Sequence, residues 1–134
     1  MDKILIVEDE PLIGGIFKKF LEDKGYLATY CETANSALNW IENFKPDLVI
    51  VDIGLPDMNG IELCKKIRNN LKTKKLPIII ITGISEIDAK IKASAQASVN
   101  LYLQKPVEPI KIYEAAQKLI ENYKTEKYKY HLNV

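Results

Sequence analysis

Runs of consecutive apolar residues alternate along this chain with longer stretches in which apolar residues recur every three or four positions. A short, mostly β-branched apolar run is typical of a strand buried on both faces, whereas the longer spacing is typical of a helix with one buried face. Five runs are predicted as strands, the second of them from the weakest pattern: residues 4–7, 26–30, 48–51, 78–81 and 99–103.

The stretches between and after these runs predict five helices. Pro11 can begin the first helix because its missing N–H is not needed there, and Gly25 can end that helix in the left-handed conformation. Thr33 can cap the second helix, and Pro109 can begin the last. The third helix is indicated by four spaced apolar residues, Ile61, Cys64, Ile67 and Leu71. A weaker pattern predicts the fourth helix over residues 86–97.

This alternation predicts an α/β fold in which helices cover both faces of a parallel sheet. The length of 134 residues suits one domain, and a composition of 47% hydrophobic and 28% charged residues is ordinary for a globular protein. We place the domain at residues 1–122. Residues 123–134 form a C-terminal tail rich in Lys and Tyr, which is a helix extension, a linker or a frayed end.

Charge and processing signals narrow the class of protein. The formal net charge of +1 favours direct binding neither to nucleic acid nor to a membrane. No apolar stretch is long enough to span a bilayer, and the N-terminal apolar run is too short for a signal peptide, so we expect a cytoplasmic protein. Cys31 and Cys64 form no CxxC pattern and are expected to be small, partly buried side chains.

Polar side chains follow four of the predicted strands. The acidic run 8–10 follows the first strand, Asp52 the third, Thr82 the fourth and Lys105 the fifth. Each of these taken alone would be an ordinary cap, turn or strand-end residue. Because open parallel sheets place their sites at the carboxyl ends of the strands, however, we expect the four groups to meet at one edge.

These residue types suit phosphoryl transfer. Clustered carboxylates repel one another and need a cation, and hard oxygen ligands with open positions suit Mg²⁺. A carboxylate such as that of Asp52 can also act as a nucleophile and form an acyl phosphate. The cation and Lys105 would offset the charge of the transferred group, and the Thr82 hydroxyl would donate a hydrogen bond to it.

Four segments, in this order and spacing, resemble the receiver domain of two-component response regulators, and the resemblance covers residues 3 to about 122. They are ILIVEDE at 4–10, PDLVIVDIGLPDMNG at 46–60, PIIIITG at 77–83 and YLQKP at 102–106. The resemblance implies a flavodoxin-like, doubly wound fold, with five parallel strands in the order 2-1-3-4-5 and five helices.

The resemblance also implies a phosphorylation site. Asp52 matches the phosphoacceptor of the family, and Asp9 matches the residue that, with Asp52, binds the metal ion directly, either Mg²⁺ or Mn²⁺. Glu8 matches the acid that reaches the metal through water, and the backbone carbonyl of Gly54 matches the third protein ligand. The resemblance implies no other cofactor.

A second group of residues matches the switch of the family. Lys105 matches the partner of the phosphate, and Thr82 matches the hydroxyl that moves towards it. Tyr102 matches the aromatic residue that turns inward when Thr82 moves, and Pro106 matches the usual cis proline.

The implied function is a phosphorylation-activated switch that accepts a phosphoryl group on Asp52 from a histidine kinase or a phosphotransfer protein. It would catalyse its own aspartyl phosphorylation and dephosphorylation rather than act as a conventional enzyme, and phosphorylation would change its partner-binding face. The resemblance leaves open which protein is the downstream target and whether phosphorylation produces a homodimer. It also leaves open whether the chain is a stand-alone protein or the N-terminal part of a longer regulator. Ser98, where the family usually has Gly, and Leu101, where Asp is common, affect the details of partner binding.

Three alternatives belong to other classes of protein. A phosphatase with an aspartyl-phosphate intermediate needs a second acid two residues after the nucleophile, where Gly54 stands. A nucleotide-binding protein needs a glycine-rich turn after the first strand, where this chain is acidic. A phosphorylation-independent interaction module of the same fold is disfavoured by the complete set of acids, Thr82 and Lys105, but it stays open as an alternative.

Overall fold

A computed structural model describes residues 1–83 and 98–132 of the protein. The strands are β1 (Lys3–Val7), β2 (Leu27–Cys31), β3 (Leu48–Asp52), β4 (Ile78–Thr82) and β5 (Leu101–Gln104). They pair in the order β2-β1-β3-β4-β5, and all four pairings are parallel. The predicted α/β fold and its strand order are therefore confirmed.

Helices cover both faces of this sheet. They are α1 (Pro11–Asp23), α2 (Ala34–Phe44), α3 (Gly60–Asn69) and a fourth that we call the C-terminal helix (Pro109–Leu132). The helix predicted over residues 86–97 lies outside the described residues. Within the described ranges, none of the helices combines the length with the apolar character that crossing a bilayer requires.

The three middle strands have their side chains buried on both faces of the sheet. Every residue of β3 and β4 is buried, as their unbroken apolar patterns predict. Because successive side chains of a strand point to opposite faces, the sheet divides the core into two clusters. Residues of α2 and α3 belong to one cluster, and residues of α1 and the C-terminal helix belong to the other. Packing on both faces fixes the ends of the strands relative to one another.

Two helix ends follow the sequence signals. The Thr33 hydroxyl accepts a hydrogen bond from the Ser36 N–H at 3.1 Å and so caps α2. Pro11 is the first residue of α1, and Gly25, two residues beyond the end of that helix, has a φ of 98°. A positive φ is what glycine adopts without a steric cost.

Other boundaries differ from the prediction. The assignment of Leu71 to the third helix is wrong, since α3 ends at Asn69 and Leu71 is 89% exposed. The Thr73 hydroxyl donates to the Ile67 carbonyl at 2.6 Å, which satisfies an acceptor at the helix end and turns the chain away. Strand β2 ends one residue later than predicted, and β5 both begins and ends later.

The C-terminal helix continues into the predicted C-terminal tail, residues 123–134. Tyr123 packs against the core cluster on the α2 and α3 side of the sheet. Lys124 forms an ion pair with Asp2, and the Lys127 ammonium lies 4.1 Å from the centre of the Tyr123 ring. These contacts place the first residues of the segment beside the amino-terminal end of the chain.

Ser98 occupies a backbone conformation that suits glycine, with a φ of 49°. Its carbonyl accepts a hydrogen bond from Arg68 at 3.1 Å, which holds the turn before β5. Left-handed backbone costs a residue with a Cβ roughly 1–2 kcal/mol, and glycine avoids this cost. Part of the stability gained is lost again, because glycine has more conformational freedom in the unfolded chain. We therefore expect Ser98→Gly to raise the free energy of unfolding by about 0.5–1 kcal/mol.

Urea denaturation at fixed pH measures this difference. Ser98→Ala is the matched control because it removes the hydroxyl but keeps the Cβ, and we expect no stabilisation from it. Equal stabilisation by both substitutions would show that the backbone conformation of Ser98 is not the cause.

Candidate functional site

The carboxyl ends of four strands lie side by side at one edge of the sheet. The register pairs Val7 with Val51, Asp52 with Ile81, and Thr82 with Gln104. The residues that end or directly follow β1, β3, β4 and β5 are therefore neighbours. This register brings the polar groups that end or follow these strands to one edge of the sheet.

Three carboxylates meet there. Oxygen atoms of Glu8, Asp9 and Asp52 all lie within 4.8 Å of one another. Glu8 is 1% exposed and Asp52 is 5% exposed, whereas Asp9 is the most exposed of the three. Negative charges this close repel one another strongly where water is excluded, so the group favours a cation.

Among the described residues, Lys105 brings a positive charge to this group. The Lys105 ammonium donates to Asp52 Oδ2 at 2.7 Å, and the Gly54 N–H donates to Asp52 Oδ1 at 3.0 Å. Both oxygens of the Asp52 carboxylate thus have a donor. Burial lowers the pKa of Lys105, but its hydrogen bond with Asp52 and the charges of Asp52 and Glu8 outweigh burial, so that pKa is raised. Lys105 therefore carries its positive charge at neutral pH.

Glu8 is harder to ionise than an ordinary carboxyl group. The pKa of Glu8 is raised to about 8, first by burial and then by the charge of Asp52 and a hydrogen bond with it. The Glu10 N–H, which donates to Glu8 Oε1 at 3.2 Å, and the charge of Lys105 act in the opposite direction. Burial and the neighbouring charge of Asp52 therefore both disfavour the ionised form of Glu8.

The predicted switch residues lie on β4 and β5, the two strands that follow β3 in the sheet. Thr82 is buried at the end of β4, and its hydroxyl donates to the Gly83 carbonyl at 3.3 Å. Tyr102 lies on β5 and packs against the core cluster on the α2 and α3 side. Its hydroxyl oxygen is buried and has no hydrogen-bond partner among the described residues. The peptide bond between Lys105 and Pro106 is cis.

The loop that follows Asp52 makes a contact that its sequence does not predict. The side chain of Asp57 accepts hydrogen bonds from the Ala34 and Asn35 N–H groups, at 2.8 and 2.9 Å. An aspartate in a run of turn formers indicates a local turn, and no local signal indicates that it caps a helix more than twenty residues earlier.

Comparison with known proteins agrees with this geometry. The profile of the family described as the response regulator receiver domain matches residues 4–117. The chain belongs to this family. The chemotaxis protein CheY of Pseudomonas aeruginosa is 33% identical over 120 residues, which cover 89% of this chain and 96% of that protein. The crystal structure of a CheY-like receiver domain protein from Methanospirillum hungatei has a TM-score of 0.86 at 32% identity, covering 94% of this chain and 98% of that one.

Some relatives are longer than this receiver domain. The regulatory protein VanR of Enterococcus faecium is 35% identical over 124 residues, which cover 92% of this chain but 52% of that protein. The receiver domain is thus found both nearly alone and as a part of larger regulators. Its family membership makes this chain a phosphorylation-activated signalling switch of the two-component type.

Proposed function

We propose that Asp52 is the phosphoacceptor of this receiver domain. The observation that carries the proposal is the position of its carboxylate, at the end of β3 between the Lys105 ammonium and two further acids. A carboxylate held by a cation and flanked by oxygen ligands has the groups that an acyl phosphate needs around it.

Phosphoryl transfer needs little from the protein beyond correctly positioned reacting groups and positive charge near the phosphoryl oxygens. An oxygen of Asp52 attacks the phosphorus of a phosphohistidine on the donor protein, and the bond between phosphorus and the imidazole nitrogen breaks. The leaving imidazole keeps the electron pair and takes a proton from water. Lys105 then offsets the charge of the phosphoryl oxygens, and the Thr82 hydroxyl donates to one of them.

The acids fit a divalent metal ion. Carboxylate oxygens within 4.8 Å of one another, on two buried acids and a more exposed one, form the donor set that Mg²⁺ accepts, with Mn²⁺ as the alternative. Asp9, Asp52 and the Gly54 carbonyl would hold the ion directly, and Glu8 would hold it through water. When bound, the ion supplies positive charge beside the transferred phosphoryl group.

The switch follows from a difference in affinity between two states. A phosphoryl group on Asp52 favours the state in which Thr82 has moved towards it and Tyr102 fills the space that this movement leaves. The partner-binding surface near β5 and the C-terminal helix changes in consequence.

The donor is a histidine kinase or a phosphotransfer protein. A mostly apolar cavity of about 490 Å³ borders Glu8 and Lys105 and is lined by α1 residues such as Ile13 and Phe17, so it offers the donor a contact surface beside Asp52. The output is a downstream protein or a phosphorylation-dependent homodimer. We place the protein in the cytoplasm, without direct contact to nucleic acid or membrane.

Labelling with acetyl phosphate tests the metal assignment. We expect one phosphoryl group per chain with Mg²⁺ and none when a chelator removes divalent ions. We expect Asp9→Asn to raise the Mg²⁺ concentration needed for half-maximal labelling by at least about tenfold, since a ligand is lost. Intact-mass spectrometry across a Mg²⁺ series measures both.

Asp23→Asn is the control because Asp23 is an exposed residue at the far end of α1, where it pairs with Lys19. It should leave the Mg²⁺ dependence unchanged. Labelling that persists in the chelator would refute the metal site. The absence of any labelling would instead favour an interaction module that works without phosphate.

A further inference from the structure

Two different segments of the chain cap the amino-terminal end of α2. Thr33 precedes the helix and caps it locally, with its hydroxyl accepting from the Ser36 N–H at 3.1 Å. Asp57 caps it from the loop between β3 and α3, accepting from the Ala34 N–H at 2.8 Å and the Asn35 N–H at 2.9 Å. Each carboxylate oxygen of Asp57 thus takes one of the N–H groups that a helix leaves unpaired at its start.

The bond between Asp57 and α2 joins an exposed loop to a fixed element. Ala34 and Ala37 of α2 are fully buried in the core. Asp57 itself is exposed, and the hydrogen bonds from the Ala34 and Asn35 N–H groups lower its pKa. Its carboxylate is therefore ionised at neutral pH, which suits the positive end of a helix dipole.

The same loop carries the backbone that surrounds Asp52. The Gly54 N–H donates to Asp52 Oδ1, and the Gly60 N–H donates to the Ile53 carbonyl at 2.9 Å. These bonds close the loop at its ends, and Leu55 is buried beneath it. Asp57 attaches the outer part of the loop to α2 through hydrogen bonds.

We propose that Asp57 is a positioning residue for the metal ion of the phosphorylation site. By holding the loop on α2 it fixes the backbone at Gly54, whose carbonyl is a metal ligand in the proposed function, on which this inference rests. A backbone ligand has no rotamer of its own, so its position depends on what anchors the surrounding chain. Asp57 lies outside the site and acts only through this loop.

Three variants separate positioning from helix stability and from charge. Asp57→Ala removes the anchor and should weaken Mg²⁺ binding by about tenfold, the usual size of an effect on a supporting residue. Thr33→Ala removes the other cap of the same helix and should bind Mg²⁺ like the wild type. Asp57→Asn loses the charge but keeps one acceptor oxygen, so its Mg²⁺ affinity should lie between those of the wild type and Asp57→Ala.

Isothermal titration calorimetry of each protein with Mg²⁺ measures the affinity, and urea denaturation shows how far each variant is destabilised. Labelling by acetyl phosphate supplies a readout that unfolding would not reproduce. At saturating Mg²⁺, Asp57→Ala should reach the labelling rate of the wild type, because only the affinity for the metal has changed.

Equal losses of affinity in Thr33→Ala and Asp57→Ala would overturn the inference in favour of a purely structural cap. Equal losses in Asp57→Asn and Asp57→Ala would overturn it in favour of a long-range charge effect. A wild-type protein that binds no Mg²⁺ would refute the proposed function itself, whereas wild-type binding with no change in any variant would refute only the role of Asp57.

Discussion

Asp52→Asn is expected to lose all labelling by acetyl phosphate in the presence of Mg²⁺. The amide is close to the carboxylate in size and keeps an acceptor for the Gly54 N–H, but it is not a nucleophile that can form an acyl phosphate. The same substitution removes a charged metal ligand. Intact-mass spectrometry after incubation with the donor measures the loss directly.

Asp47→Asn is the matched control for this variant. Asp47 stands just before β3, at the other end of the strand that Asp52 ends, and its carboxylate accepts from the backbone N–H of Lys3 at 2.9 Å. This variant should be labelled as fully as the wild type. If Asp52→Asn took up a phosphoryl group at the rate of Asp47→Asn, Asp52 would not be the phosphoacceptor.

The substitution Gly60→Ala is expected to lower the free energy of unfolding by about 3 kcal/mol, at the upper end for overpacking a core. A Cβ at this position would lie 2.6 Å from the carbonyl oxygen of Asp52 and 2.8 Å from the Cα of Ile53. Both are backbone atoms, so the chain beside the phosphoacceptor has to move. Phosphoryl labelling should slow as well, since the Asp52 carboxylate moves with its backbone.

Gly15→Ala makes the same chemical change without the contact. Apart from its chain neighbours and the backbone of its own helix, no heavy atom of the described residues lies within 4 Å of a Cβ placed at Gly15, which is inside α1. Alanine is the better helix former, so this control should gain about 0.5–1 kcal/mol of stability. Urea denaturation of both variants measures the difference. A loss below 1 kcal/mol in Gly60→Ala would show that the loop after β3 adapts at little cost, contrary to a rigid site.

The sheet was predictable because its middle strands carry a strong signal. Runs such as 48–51 and 78–81 are buried on both faces, so every residue in them is apolar, and little else explains such a run. Leu71 was assigned wrongly to the third helix because the helical spacing of apolar residues continues by chance beyond α3. The helix itself ends earlier, where the Thr73 hydroxyl donates a hydrogen bond to the Ile67 carbonyl. Such bonds depend on the folded turn rather than on the spacing of apolar residues.

The residues that gather at the site were predictable for a related reason. Asp9, Asp52 and Lys105 each end or follow a strand, and parallel strands bring those positions to one edge. The sequence could not show that Glu8 is almost fully buried, or that this burial and Asp52 raise its pKa to about 8. Nor could it show that Asp57 reaches α2, because that contact joins residues far apart in the chain.

Mapping the acyl phosphate to a residue tests the central claim most directly. The protein is incubated with acetyl phosphate and Mg²⁺, treated with borohydride, which reduces an aspartyl phosphate to homoserine, and then digested for peptide mass spectrometry. We predict a single homoserine, at position 52, which a chelator prevents. A modification at any other carboxylate, or one at position 52 that forms equally well without divalent ions, would contradict the account.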